Sequence, residues 1–279
     1  MKKTLARIQF KKHFGQANHY LVTSLVALNN LDASSVVEAP EELRMAWKPR
    51  VKRASILRTR NFVLHSFLGW AVDSLDMYLS LLNRKPNYLQ DSALTSQLDG
   101  AGRSVLRKAQ IFSAHYNAHP ATFALIDVLI TWRNNVFHEL AENKIKTESL
   151  EALLAYSSYI SQNYRGLDVS KLPNKAEKGA CLTFKETASL INAVHHYVQE
   201  IDAAVLMRFD PSHFCTEAVI DAINNKEQET GFAAKYFSLP TEKRERFLRN
   251  WFRNLYGFSE MDEKVLASCL IIKKTRLVG

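Results

Sequence analysis

The chain is 279 residues long, with 47% hydrophobic and 23% charged residues, nine glycines and seven prolines. This excludes a disordered, fibrous or low-complexity protein and leaves room for a sizeable core. Charge is uneven: residues 1–60 carry twelve Lys/Arg against four Asp/Glu, and the remaining 219 carry 25 against 24, a balance suited to a polyanion or an acidic partner protein, with a solubilising surface as the plain alternative.

Hydrophobic periodicity is helical nearly throughout and the alternation of a sheet is missing, so the expected fold class is all-α. In chain order, helices are expected over about 17–31, 41–47, 54–83, 101–116, 121–141, 148–163, 184–209, 212–229, 241–255 and 260–273. Pro120, Pro211 and Pro240 stand where helices begin, and Pro86 follows one that has ended. Thr183 with Glu186 forms a capping box ahead of "ASLINAVHHYVQEIDAAVL". The stretch "DVSKLPNKAEKGACL" (168–182) is the clearest loop. Cys181, Cys215 and Cys269 are far apart, odd in number and without a C-x-x-C, as in a reduced cytoplasmic protein. Lys11 and Lys12 interrupt any signal-peptide core, and no run approaches the ~18 apolar residues of a membrane span. A cytoplasmic chain without a membrane partner is expected.

The segment "FALIDVLITW" runs directly into Arg133, Asn134 and His138. At 100° per residue, Asp127, Thr131, Asn134 and His138 share one stripe of that helix, opposite Leu125, Val128, Leu129, Trp132 and Val136. Arg133 lies about 120° from Asp127, on the flank of the apolar arc. A guanidinium there needs a carboxylate, a phosphate or several carbonyls opposite it. Arg133 therefore either holds a structural salt bridge or reaches into a cleft shared with His138.

The spacing R-x4-H occurs three times, at 60–65, 133–138 and 208–213. Requiring asparagine directly after the arginine lowers the chance expectation to roughly 0.03, and two occurrences survive, "RNFVLH" and "RNNVFH". "LITWRNNVFHE" resembles the R-x4-6-H signature of the HEPN superfamily, including the polar residue after the arginine. The resemblance implies a HEPN-like helical bundle over 49–210, between a basic N-terminal helical segment (1–48) and a C-terminal helical extension (211–279). It also implies a metal-independent endoribonuclease that needs no cofactor and works as a homodimer on RNA. The implied setting is bacterial antiphage defence or a toxin–antitoxin system with an antitoxin or other partner protein. Leu140 occupies the tyrosine position of the R-x4-H-x-Y branch, so control by a tyrosine-modifying antitoxin is not implied.

In that chemistry an imidazole moves the ribose 2′-OH proton, and a guanidinium clamps the phosphate as charge builds on it. The resemblance assigns His138 as general acid/base, Arg133 as phosphate stabiliser and Asn134 as an orienting amide. Asp127 is a supporting candidate from the stripe. On the helix over 54–83, Arg58, Asn61, His65, Gly69, Val72 and Asp76 align within about 40°. This helix either lines the same cleft, with Asp76 orienting a histidine or pairing Arg133, or matches by coincidence; Asn61 and His65 are further candidates.

The run "WKPRVKRASILRTR" (47–60) offers Lys48, Arg50, Lys52, Arg53, Arg58 and Arg60 as RNA-binding candidates beside Trp47. His115 and His119 have metal-binding spacing, but Pro120 and the lack of a matching carboxylate argue against a site, so no metal is expected. "TEKRERFLRNWFRNLYGF" (241–258) is a basic amphipathic helix read as core or interface. Two rival readings are a non-catalytic HEPN-like RNA-binding or regulatory module, and a helical protein–protein adaptor.

Overall fold

The computed structural model describes residues 2–34, 42, 44, 47–138, 142–224, 231–258 and 260–272. Among the described residues there are fourteen helices and no strand, so the chain is all-α. The helix expected at 41–47 lies largely outside the described residues. None of the described helices is long and apolar enough to cross a membrane. The chain divides into two compact units, residues 10–76 with 104–200, and residues 1–9 with 77–103 and 201–279.

The first unit (10–76 with 104–200) is organised around helix α6, Pro120–Phe137. Pro120 opens it because its missing N–H is one the first turn would leave unpaired anyway, and His119 accepts the Ala121 N–H at 3.2 Å. Eleven of the twelve residues from Ala121 to Trp132 are buried. This explains an apolar run too uniform for a surface helix. Three shorter helices, α5 (Val105–Tyr116), α7 (Thr147–Ala155) and α9 (Leu172–Glu177), pack on it.

Buried polar groups in this unit are spent on holding connections. Asp127 is fully buried and accepts from Thr131 Oγ1 at 3.3 Å and from the Lys146 N–H at 3.1 Å. It thereby satisfies the residue ahead of α7, which has no side-chain cap of its own. Asn135 donates to the carbonyls of Asn143 (3.0 Å) and Glu177 (3.1 Å) and accepts from the Asn143 N–H at 2.8 Å. Trp132 Nε1 donates to the Ala180 carbonyl at 2.9 Å. The expected loop 168–182 thus contains a helix: Leu172 and Ala176 are buried, and the segment is pinned through carbonyls that offer no sequence signal. The expected helix 148–163 is broken at Tyr156 between α7 and α8 (Ser157–Asn163).

The capping box is present at the start of α10, Phe184–Met207: Thr183 Oγ1 accepts the Glu186 N–H at 3.2 Å, and Glu186 accepts the Thr183 N–H at 2.7 Å. On α10, the His195 ring stacks on Phe14 at 5.4 Å and meets Phe10 edge-on at 5.3 Å. Burial pushes His195 down from 6.5 to about 4, with the nearby Lys11 charge acting the same way. The unfolded chain therefore binds a proton between pH 6.5 and about 4 that the folded chain refuses. Stability is full above about 6.5, falls with pH through that window, and levels off below about 4. The expected loss is on the order of 2 kcal/mol between pH 7 and pH 4.5. Urea melts of wild type and His195→Phe check it: the variant should lose markedly less across the same interval.

The second unit (1–9, 77–103 and 201–279) uses the same local rules. Helix α1 (Leu5–Phe14) begins after Thr4, whose hydroxyl accepts the Arg7 N–H at 3.1 Å and donates to Asp202. Burial raises the Asp202 carboxyl, against the opposing pull of Thr4 and Arg7. Helix α4 (Ser92–Ala101) is capped by Asp91 and ends at Gly102, and the helix expected over 101–116 begins at Val105, as α5. Helix α11 (Pro211–Asn224) packs on α12 (Phe232–Ser238) and α14 (Glu263–Leu270), and α13 (Thr241–Tyr256) packs on α14. Aromatic rings fill the centre: Phe214 touches Tyr88 at 4.7 Å, and Phe209 and Tyr256 at 5.3 Å. Helices α1, α4 and α12 fall outside the individual helices expected in chain order; each is short, with ten residues in α1 and α4 and seven in α12.

Candidate functional site

Helix α6 stops at Phe137, earlier than the expected 141, and this stop makes the candidate site. His138 has φ −119° and ψ 101°, an extended conformation, while its N–H still bonds the Asn134 carbonyl. On a continuing helix, positions five apart point about 140° away from each other. Leaving the helix releases His138 from that constraint, and its Nε2 lies 3.2 Å from Arg133 Nη1. The same nitrogen of Arg133 donates to Asn134 Oδ1 at 3.2 Å. Arg133, Asn134 and His138 are therefore brought together in one constellation. The stripe drawn through Asp127, Thr131, Asn134 and His138 is divided: the first two are buried and engaged within the fold, and only the last two reach the site.

Helix α3 (Lys52–Leu82) supplies the opposite wall. Gly69 permits the approach, since a Cβ there would lie 3.2 Å from the Phe137 ring. One turn further on, Asp73 accepts from Arg133 Nη2 at 3.3 Å. The carboxylate on Arg133 is thus Asp73. Asp76 is engaged by Lys108 at 2.7 Å and does not meet the arginine. Asp73 stands outside the angular alignment of Asn61, His65, Gly69 and Asp76 on which the expectation rested. The spacing from Gly69, one helical turn, was the available signal.

The Arg133 side chain is 26% exposed and that of Asp73 67%, so the pair contributes little to stability. Its carboxylate holds the guanidinium in place from the α3 side. Asp73→Asn is expected to shift the melting free energy by less than about 1 kcal/mol.

The second R-N-x-x-x-H is not assembled in this way. It lies within the regular part of α3, where the five-residue offset keeps its ends apart. Arg60 donates to Asn29 Oδ1 at 3.2 Å, on α2 (Ala17–Ala33). The His65 ring meets Trp132 edge-on at 5.0 Å, and its Nε2 is buried without a hydrogen-bond partner. Burial lowers the His65 pKa. Asn61 is half-buried on the same helix. Of the basic candidates, Lys48, Arg50, Arg53 and Arg58 are exposed. Lys52 is directed to the Ser34 carbonyl, and Arg60 is spent on Asn29. Among the described residues, no group of three or more His, Cys, Asp or Glu is placed to hold a metal ion.

Compared with known proteins, the chain matches no family model, no curated protein and no solved structure.

What the constellation can do follows from its parts. A guanidinium with two nitrogens at the protein surface is a ready phosphate clamp. An exposed imidazole beside it can exchange a proton with a bound hydroxyl. The Asn134 amide fixes the guanidinium from one side and the Asp73 carboxylate from the other.

Proposed function

We propose that the chain is a metal-independent endoribonuclease of HEPN type. The observation that carries this reading is the direct contact of Arg133 with His138 at the surface end of α6, 3.2 Å apart. In the proposed reaction a phosphate enters and replaces that contact. Arg133 binds the non-bridging oxygens, and His138 takes the proton of the adjacent 2′-OH. The 2′-oxygen attacks phosphorus, the bond to the 5′-oxygen breaks, and the products are a 2′,3′-cyclic phosphate and a 5′-hydroxyl. The leaving 5′-oxygen receives a proton from an imidazolium, either His138 itself or its counterpart in a second copy. A homodimer, which the HEPN resemblance implies, would set two such motifs in one cleft. The proposed setting in bacterial defence or a toxin–antitoxin system rests on that resemblance alone.

Purified protein mixed with end-labelled RNA, with and without EDTA, tests the proposal. EDTA-resistant fragments ending in 2′,3′-cyclic phosphate are expected. A second reading is favoured by the Asp73 carboxylate, which already occupies one nitrogen of the guanidinium: a non-catalytic RNA-binding module of the same type. Binding of RNA without cleavage selects that reading. Indifference to RNA removes both and leaves a protein–protein adaptor.

A further inference from the structure

The basic residues of helix α13 are put to different uses. Arg249 donates to Glu245 at 2.9 Å and to Glu263 at 2.7 Å. Arg244 lies over the Tyr236 ring, 4.8 Å from its centroid, and donates to the Leu239 carbonyl at 3.0 Å. These charges are consumed in holding the unit together. Lys243, Arg246, Phe247, Asn250, Trp251 and Asn254 follow the spacing i, i+3, i+4, i+7, i+8, i+11, which is one continuous face of the helix. They line an open groove of about 540 Å³, closed on the other side by α12. That size suits a small organic ligand or a short run of a polymer.

The lining is one-signed. Lys235, Lys243 and Arg246 contribute three cations, and among the described residues no carboxylate lines the groove. All three are exposed, so none is a buried charge in need of a structural partner. Phe247 and Trp251 form an aromatic floor, half-buried and backed by Phe232, whose ring lies 5.3 Å from Phe247 and 4.5 Å from Trp251. Lys235 Nζ stands 5.1 Å over the Phe247 ring, so that ring keeps a cation stationed above the groove. One turn away, about 6 Å along the axis, lies Trp251, with Asn250 and Asn254 lining the same groove. A simple solubilising surface has no use for a tryptophan at the base of a cationic trough. A nucleic-acid strand offers both a phosphate and a planar base in every repeating unit, matching cations and ring together.

We propose that this groove binds single-stranded nucleic acid, with phosphates on Lys235, Lys243 and Arg246 and an unpaired base stacked on Trp251. Stacking is available to every base, and the cations follow the backbone, so binding is tolerant of sequence and steep in salt. The site lies in a different unit from Arg133 and His138 and holds whether or not those residues cut RNA.

The test uses the full chain and a fluorescein-labelled oligothymidylate of about ten nucleotides. Lacking a 2′-OH, this probe is inert to the chemistry proposed for His138. Anisotropy at low salt should show binding, and tryptophan fluorescence should be quenched as the probe is added. The double variant Lys243→Gln/Arg246→Gln, at exposed positions, should bind at least tenfold more weakly. Its slope of log affinity against log salt should flatten by about 1.4, two phosphate contacts at ~0.7 each. Trp251→Phe, checked for an unchanged melt, should lose the quench while retaining the salt slope. His138→Ala should bind the probe like wild type, which separates failure of this groove from failure of the nuclease reading. No binding, binding untouched by the double variant, or polyglutamate competing as well as the oligonucleotide would each overturn the proposal, the last in favour of an acidic peptide.

Discussion

His138→Ala is expected to lower RNA cleavage by about 10²- to 10⁴-fold, the usual range for removing a positioned general acid or base. Helix α6 ends before this residue and its side chain is exposed, so the variant should melt like wild type. Arg133→Ala should lose about 10²- to 10³-fold by removing the donors that meet developing charge. Arg133→Lys should recover little, because an ammonium cannot make the two-nitrogen contact that now spans Asp73 and His138. An exposed histidine elsewhere, His213, serves as the control, and its alanine variant should cleave normally. Rates measured with saturating labelled RNA decide the matter. Wild-type cleavage by His138→Ala, with contaminating nuclease excluded, would remove the imidazole from the mechanism.

The second large effect is on stability. Trp132 is fully buried at the point where α6 meets the loop after α9, and it contributes one hydrogen bond to the Ala180 carbonyl. Trp132→Ala opens a cavity and leaves that carbonyl unpaired. The expected cost is ~3–5 kcal/mol for the lost volume, with ~1 kcal/mol more for the hydrogen bond. Trp132→Phe retains most of the volume, so it reports the hydrogen bond and the smaller mismatch together at about 1–2 kcal/mol. Denaturant melts measure both. Since Trp132 also packs on His65, the alanine variant should loosen α3 against α6 and reduce cleavage indirectly. A shift below about 1 kcal/mol for Trp132→Ala would mean that the ring is not part of the core.

The all-α class and the long helices were legible in the residues. A run such as 123–132 is too apolar to lie anywhere but inside, and Thr183 with Glu186 announces a helix start in a form that the hydrogen bonds repeat. Boundaries were less legible where they depend on partners distant in the chain. The break at Tyr156 and the short helix over 172–177 are stabilised by burial that no local pattern records. In the candidate site, the grouping of Arg133, Asn134 and His138 was legible from type and spacing. Asp73 was not, because its role follows from which face of α3 meets α6. Asp127 looked like a member of the site for the opposite reason: it shares an angle with Asn134, but lies far enough back along α6 to be enclosed.

The termination of α6 at Phe137 carries a lesson about how such pairs are to be found. When the second partner is the residue at which the helix ends, its own non-helical φ, and not the helical angle alone, sets where its side chain points. A residue inserted after Phe137, beyond the rod, is then tolerable, whereas the same change among residues 134–137, which are helical, would turn the two away from each other. The imidazole is therefore placed by where the rod ends, and the number of intervening positions matters only through that.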